Sequence, residues 1–166
     1  CLIYATGFEV GTDYTRRSGY EVRGRDVTLT ERWKDGAMTL HGMHSRGFPN
    51  LFIMSPAQSG FTVNYPHALA EQARHLAYIV DHALTNGLST VEAAEDAEAA
   101  WVKTIEEMAL FNLKYLDACT PGYYNNEGKP AESRLRNSSY GGGSLAFFKI
   151  LDEWRAEGSL AGLELH

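Results

Sequence analysis

The chain has 166 residues, 44% of them hydrophobic, and carries 15 Lys and Arg against 21 Asp and Glu, a formal net charge of -6. That length and apolar content are enough to bury one core. The acidic balance argues against nucleic acid or an anionic membrane as a partner. No run approaches the roughly 20 apolar residues of a membrane span, and no charged-then-apolar leader opens the chain, so the expected compartment is cytoplasmic. Cys1 and Cys119 are too few for a disulfide framework and lack metal-site spacing, so both are expected as reduced thiols. A start at Cys1 rather than Met, directly on an apolar run, leads us to expect a piece of a longer polypeptide.

In chain order, Leu2 to Ala5 reads as a short buried strand that ends at Thr6-Gly7, where a missing side chain permits close approach of backbone or ligand. Glu9 to Arg17 is polar and expected to be a variable loop. From Tyr20 to Trp33, Val22, Val27 and Leu29 among charged residues suggest half-exposed strands, with a turn at Lys34-Asp35-Gly36. Arg23, Arg25 and Arg32 alternate with Glu21, Asp26 and Glu31, the pattern of a solvated face. His41-Gly42-Met43-His44 has neither a third ligand nearby nor an orienting carboxylate, so no metal is expected there.

The next stretch, Gly47 to Gln72, reads as strand, loop and helix. Leu51 to Met54 is a continuous apolar run between turn formers, which suits a strand buried on both faces. Asn64 is placed to cap a helix and Pro66 fits its first turn. A positive helix end just beyond a strand is where α/β proteins hold anionic or electron-rich ligands, although the same shape also serves a plain connection.

The helix from Pro66 to Asn86 is expected to bury Leu69, Ala73, Leu76, Ala77, Val80 and Leu84, to carry His75 and His82 on its surface, and to stop at Gly87. Ser89-Thr90-Val91-Glu92 reads as a capping box opening the longest helix, with Glu92, Glu95, Asp96 and Glu98 at its start and Trp101, Ile105, Met108 and Leu116 inward. These two helices are expected to pair antiparallel. Cys119 to Pro130 is a long loop rich in rings and amides, and Asn137 to Ser144 is a second loop. A last helix places Leu145, Phe148, Leu151 and Trp154 inward and ends at Gly158, before an edge strand at Leu163-Glu164-Leu165.

Gly47-Phe48-Pro49-Asn50-Leu51-Phe52, the loop with Phe61-Thr62 and Asn64-Tyr65-Pro66, and Glu71-Gln72 together resemble the closing flavin-binding segment of Baeyer–Villiger monooxygenases. These flavin- and NADPH-dependent enzymes insert one oxygen atom of O2 next to a carbonyl. Ala5-Thr6-Gly7-Phe8 is similar to their ATG stretch and Gly128-Lys129-Pro130 to their C-terminal region, so the resemblance is collinear over essentially the whole chain.

The resemblance implies an α/β chain: the C-terminal part of a two-dinucleotide-binding-domain flavoprotein fold, with short strands and three main helices. Residues 1–166 would be the end of the FAD-binding domain with a helical flank and a lid loop at 119–130. It implies FAD and NADPH as cofactors, a small-molecule ketone of unspecified size and O2 as reactants, and the remainder of the same polypeptide upstream as partner. Thr6, Gly7, Ser59, Asn64 and Tyr65 would face the flavin, and Phe61, Thr62 and Tyr65 the ketone. Thr120 and Tyr123 would lie on the NADPH side of the lid; Thr120 stands where the family usually has a tryptophan, and Tyr123 or Tyr124 is the candidate substitute.

No G-x-G-x-x-G fingerprint occurs in the chain. In the resembling family both fingerprints, the signature motif and the functional arginine lie upstream of the ATG stretch, so no catalytic residue is assigned here. The rival enzyme reading is a hydrolase at Gly142-Gly143-Ser144-Leu145-Ala146, which misses the nucleophile-elbow pattern by one residue and has no strand before it. Two further readings are a flavin enzyme that oxygenates nitrogen or sulfur, and a helical packing module without catalysis.

Overall fold

The computed structural model describes residues 1–4, 14–109 and 135–166. Among these the elements are α1 (Tyr14–Ser18), α2 (Leu29–Arg32), α3 (Tyr65–Thr85), β1 (Val91–Ala93), α4 (Glu95–Met108), α5 (Ser144–Glu157) and β2 (Leu163–Leu165). Three long helices are present as expected, but the longest described is α3, not the one after Ser89, which ends at Met108. Asn64 caps α3 by accepting the His67 N–H on its side chain at 3.4 Å, with Pro66 in the first turn, and Gly87 takes a φ of 66° just past the end. α5 ends at Gly158 in the left-handed region, as its glycine predicts.

Several expectations are corrected. Ser89 to Glu92 opens no helix: Val91–Ala93 is β1, which pairs antiparallel with the expected edge strand β2 in the register Val91 to Leu165 and Ala93 to Leu163. The helix starts later, at Glu95 behind Ala94, and keeps Glu95, Asp96 and Glu98 in its first turn. The pairing of 89–93 with the C-terminus wins over the local cap signal because it satisfies a whole backbone stretch, including the Ser89 and Thr90 N–H groups on the His166 carbonyl. The main helix partner of α3 is α5, where α4 was expected.

The expected strand at Leu51 to Met54 does not form. Asn50 donates to the Val91 carbonyl and Ile53 to the Met43 carbonyl, both at 2.9 Å, so the segment is held by single bonds to two different partners in place of a ladder. Leu2, Ile3 and Tyr4 likewise form no strand and are exposed; Ala5, Thr6 and Gly7 lie outside the described residues. Both apolar runs lack an adjacent strand among the described residues, and a strand is stable only when paired.

Between Tyr14 and Trp33 the backbone is helical at α1 and α2. Thr28 caps α2 by accepting the Glu31 N–H, and an isolated Arg23 to Thr28 bridge stands in place of the expected strands. The arginines there are not simply solvated: Arg25 pairs with Glu92 and Arg32 with Glu98, both carboxylates being buried.

The buried face of α3 is Ala68, Gln72, His75, Leu76, Ile79 and Ala83, turned from the predicted face, which kept only Leu76. Leu84 and Val80 are exposed, and His75 is fully buried instead of on the surface. On α5, Phe147, Phe148, Leu151 and Trp154 are inward while Leu145 is exposed. One apolar cluster gathers Met43, Ala68, Leu76, Trp101, Ile105, Phe147 and Leu151, and a second gathers Ile79, Val91, Trp154 and Leu160. Leu116 and the loop 119–130 lie outside the described residues.

Candidate functional site

The loop from Ser55 to Tyr65 changes character at one peptide bond. Gln58, Ser59 and Gly60 are buried; Phe61, Val63 and Asn64 are exposed, with Thr62 and Tyr65 between. The buried part is held from below. Gln72, one of the inward residues of α3, donates to the Ser55 carbonyl and to the Ser59 hydroxyl, each at 2.9 Å, and the Ser59 hydroxyl donates to the Ser55 carbonyl. The predicted site residue Ser59 therefore spends its hydroxyl inside the loop. Gly60 lies against α5: a Cβ added there would meet the Phe147 ring at 2.7 Å.

Beyond Gly60 the chain projects outward and brings the remaining described site candidates together. The Phe61 and Tyr65 rings are 6.3 Å apart, centroid to centroid. The Thr62 hydroxyl accepts the Asn64 N–H at 3.4 Å, and Asn64 caps α3. This helix is 21 residues long and has no acidic residue in its first turn, so no side chain of its own neutralises the positive end. Two ring faces, one hydroxyl and an uncompensated helix end are donors and walls that fit an electron-rich planar group with an apolar reactant beside it. Thr6, Gly7, Thr120 and Tyr123 lie outside the described residues. A shallow groove of about 400 Å³ lined by Val22, Arg23, Arg25 and Phe48 to Leu51 contains none of the predicted site residues.

Behind the loop stand groups that carry no clear signal in the sequence. His41, His44 and His75 are buried together, with the His41 ring 5.9 Å from His75 and 4.9 Å from Trp101, and His75 4.7 Å from Trp154. Burial pushes His41 down to about 4. Burial and then His41 push His44 down to about 3, and burial with His41, His44 and Arg155 does the same to His75. Arg155 donates to His75 Nδ1 at 3.3 Å, which leaves the ring proton on Nε2, an atom with no partner among the described residues. The chain just before the Gly47 to Phe52 stretch is pinned by carboxylates: Arg46 N–H donates to Glu98 and Gly47 N–H to Glu92, each at 2.7 Å. A glutamate in an acidic, helix-like stretch gives no sequence signal for such a role.

The hydrolase elbow is not formed. Ser144 opens α5 behind Gly143 at a φ of 87° and follows turns, while the His166 backbone is engaged with Ser89 and Thr90 in the β1 and β2 pairing.

Comparison with known proteins gives the loop its context. No family model matches the chain. Pentalenolactone D synthase of Streptomyces exfoliatus is 52% identical over 168 residues, covering 99% of this chain and 29% of that protein. A protein named Baeyer–Villiger monooxygenase from Stachybotrys chlorohalonatus is 41% identical over 167 residues, covering 99% of this chain and 27% of that protein. This chain matches the C-terminal part of Baeyer–Villiger monooxygenases. Its fold agrees: the solved polycyclic ketone monooxygenase of Thermothelomyces thermophila superposes with a TM-score of 0.82 at 33% identity, over 92% of this chain and 25% of that one. The chain thus spans under a third of the length of these relatives and corresponds to their C-terminal part. The resemblance drawn from the Gly47 to Phe52 stretch and its flanks is the one these relatives bear out.

Proposed function

We propose that the parent polypeptide is an FAD- and NADPH-dependent enzyme that converts a ketone to an ester or lactone, and that this chain supplies the closing wall of its flavin site and part of its lid. In that reaction ketone, O2, NADPH and a proton give ester, NADP+ and water. FAD, when bound, carries the electrons from NADPH to O2. The observation that supports the reading best is the exposed wall Phe61, Thr62 and Tyr65 set on the Asn64-capped end of α3, within a chain 52% identical to a relative along nearly its whole length.

Each residue then has a task that needs no catalytic group on this chain. The α3 end, with Asn64 and Tyr65, favours electron density on the facing ring, and Ser59 shapes the loop that presents it. Phe61, Thr62 and Tyr65 exclude water from the carbonyl and orient it. Thr6 and Gly7 approach the flavin from the start of the chain, and Thr120 and Tyr123 of the loop 119–130 meet NADPH. Residues 1–166 close the FAD-binding domain, and the remainder of the polypeptide lies upstream in a cytoplasmic enzyme. Among the described residues no helix is long and apolar enough to cross a membrane.

The full-length parent, purified, is expected to be yellow and to consume NADPH with a ketone while releasing an ester or lactone, read by absorbance and product chromatography. A colourless parent, or one inactivated by a serine-directed fluorophosphonate on Ser144, would overturn the reading. A yellow parent that oxygenates only amines or sulfides would keep the flavin site and remove the ketone.

A further inference from the structure

The buried half of the site loop is tied to a distant part of the chain, and one residue, Gln58, makes half of the tie through its side chain and its backbone N–H. Four hydrogen bonds join residues 56–59 to residues 136–140: Gln58 Nε2 donates to the Arg136 carbonyl at 2.8 Å, Gln58 N–H to the Ser138 carbonyl at 2.7 Å, the Ser139 hydroxyl to the Pro56 carbonyl at 2.9 Å, and Tyr140 N–H to the Ser59 carbonyl at 2.9 Å. The Gln58 amide also donates to the Ala37 carbonyl at 2.6 Å and accepts the Thr39 N–H at 3.1 Å and the Thr39 hydroxyl. Its two donors and both acceptor positions are thereby used. The Gln58 carbonyl takes the Trp101 indole N–H at 3.0 Å, and Trp101 stacks on Tyr140 with ring centroids 5.6 Å apart.

Gln58 holds a φ of 56°, a left-handed conformation that is unfavourable for a residue other than glycine and persists only where the surroundings enforce it. That bend turns the chain into the buried pair Ser59 and Gly60, and Gly60 is locked against Phe147. Exposure begins at the next residue, Phe61. The placement of Phe61 to Tyr65 therefore follows from where Gln58 is held.

We infer that Gln58 is a positioning residue for the flavin-facing wall: through its side chain, residues 136–140 set where Phe61 to Tyr65 stand. The inference rests on the proposed flavin monooxygenase reading.

The test uses the full-length holoenzyme with Gln58→Glu and Ser139→Ala. The first keeps the acceptor toward Thr39 and removes the donors to Ala37 and Arg136; the second removes a single half-buried tie. The readouts are flavin content, KM for NADPH, and the share of consumed NADPH and O2 that leaves as hydrogen peroxide instead of ester and water. Gln58→Glu is expected to raise the peroxide share about fivefold, the effect of losing roughly 1 kcal/mol of positioning hydrogen bond, at unchanged flavin content. Ser139→Ala is expected to move it the same way by less. Variants that only melt earlier, with the peroxide share of the parent, would make Gln58 a stability residue and overturn the inference. If Gln58→Glu does not fold, an unchanged share in Ser139→Ala overturns it equally. A colourless unmutated parent sinks the flavin reading itself, and that is seen before any variant is measured.

Discussion

The Glu92 carboxylate, 2% exposed, lies between the Arg25 and Arg46 guanidiniums and accepts the Gly47 N–H at 2.7 Å. Burial pushes its pKa up, but the Gly47 N–H and the Arg25 and Arg46 charges outweigh burial and hold it below its usual value of 4.5. A carboxyl lowered on folding contributes stability above its unfolded pKa and loses it as the pH falls through the folded one. Glu92→Gln is therefore expected to destabilise the protein at pH 7 by about 2 kcal/mol, discounted from the usual cost of breaking a buried pair because Arg25 is half-exposed. The gap should narrow below about pH 4, in the carboxylate range. Thermal unfolding of both proteins at pH 7 and pH 3.5 checks this, and an equal gap at both would assign the loss to packing.

At the scale of elements, α3 shows how a helix face is chosen. Its apolar residues are spread widely enough that two stripes are nearly equivalent in the sequence, one through Leu69, Val80 and Leu84 and one through Ala68, Ile79 and Ala83. The second is buried, because it alone also points Gln72 at Ser55 and Ser59 and His75 at Trp154 and Arg155. Ile79 is 0% exposed and Leu84 is 75% exposed. Ile79→Ala is expected to cost about 2–5 kcal/mol and Leu84→Ala within about 0.5 kcal/mol, measured by denaturant unfolding. A comparable loss at Leu84 would show that the rest of the parent polypeptide covers that side of α3.

At the scale of the whole molecule, the three buried histidines sit where the elements converge: His41 and His44 from the chain before the site loop, His75 from α3, with Trp101 of α4 and Trp154 and Arg155 of α5 around them. All three are neutral when folded, with pKa values pushed to about 4, 3 and 3, against 6.5 for a free histidine. The unfolded chain then binds more protons below pH 6.5, so stability falls with pH through the window from 6.5 toward 4. Each histidine contributes up to about 1.4 kcal/mol per pH unit there. His75→Gln is expected to flatten the slope between pH 6 and pH 4.5 by one proton's worth, a difference read from unfolding free energies along a pH series. An unaltered slope would mean that His75 is protonated in the folded state.

A collinear set of residues carries the family resemblance in the chain alone, and the features that local chemistry controls are legible there too. Asn64 and Pro66 start α3 because cap and proline act within one turn. Gly158 ends α5 because a left-handed residue is cheapest without a Cβ. Leu163 to Leu165 was legible as an edge strand. Tertiary structure decided whatever needed a distant partner. Ser89 to Glu92 carries a sound capping signal, yet the C-terminal strand claims β1. The apolar run Leu51 to Met54 reads as a strand, but no neighbour among the described residues pairs with it, and its bonds go to Met43 and its approach to Val91. Gln58 looks like any polar loop residue, because its weight comes from Ala37, Thr39, Arg136 and Ser138, all far from it in sequence. Local backbone preferences act over one turn and can be read in the chain, whereas burial and long-range hydrogen bonding depend on which segments meet, and only the folded molecule fixes that.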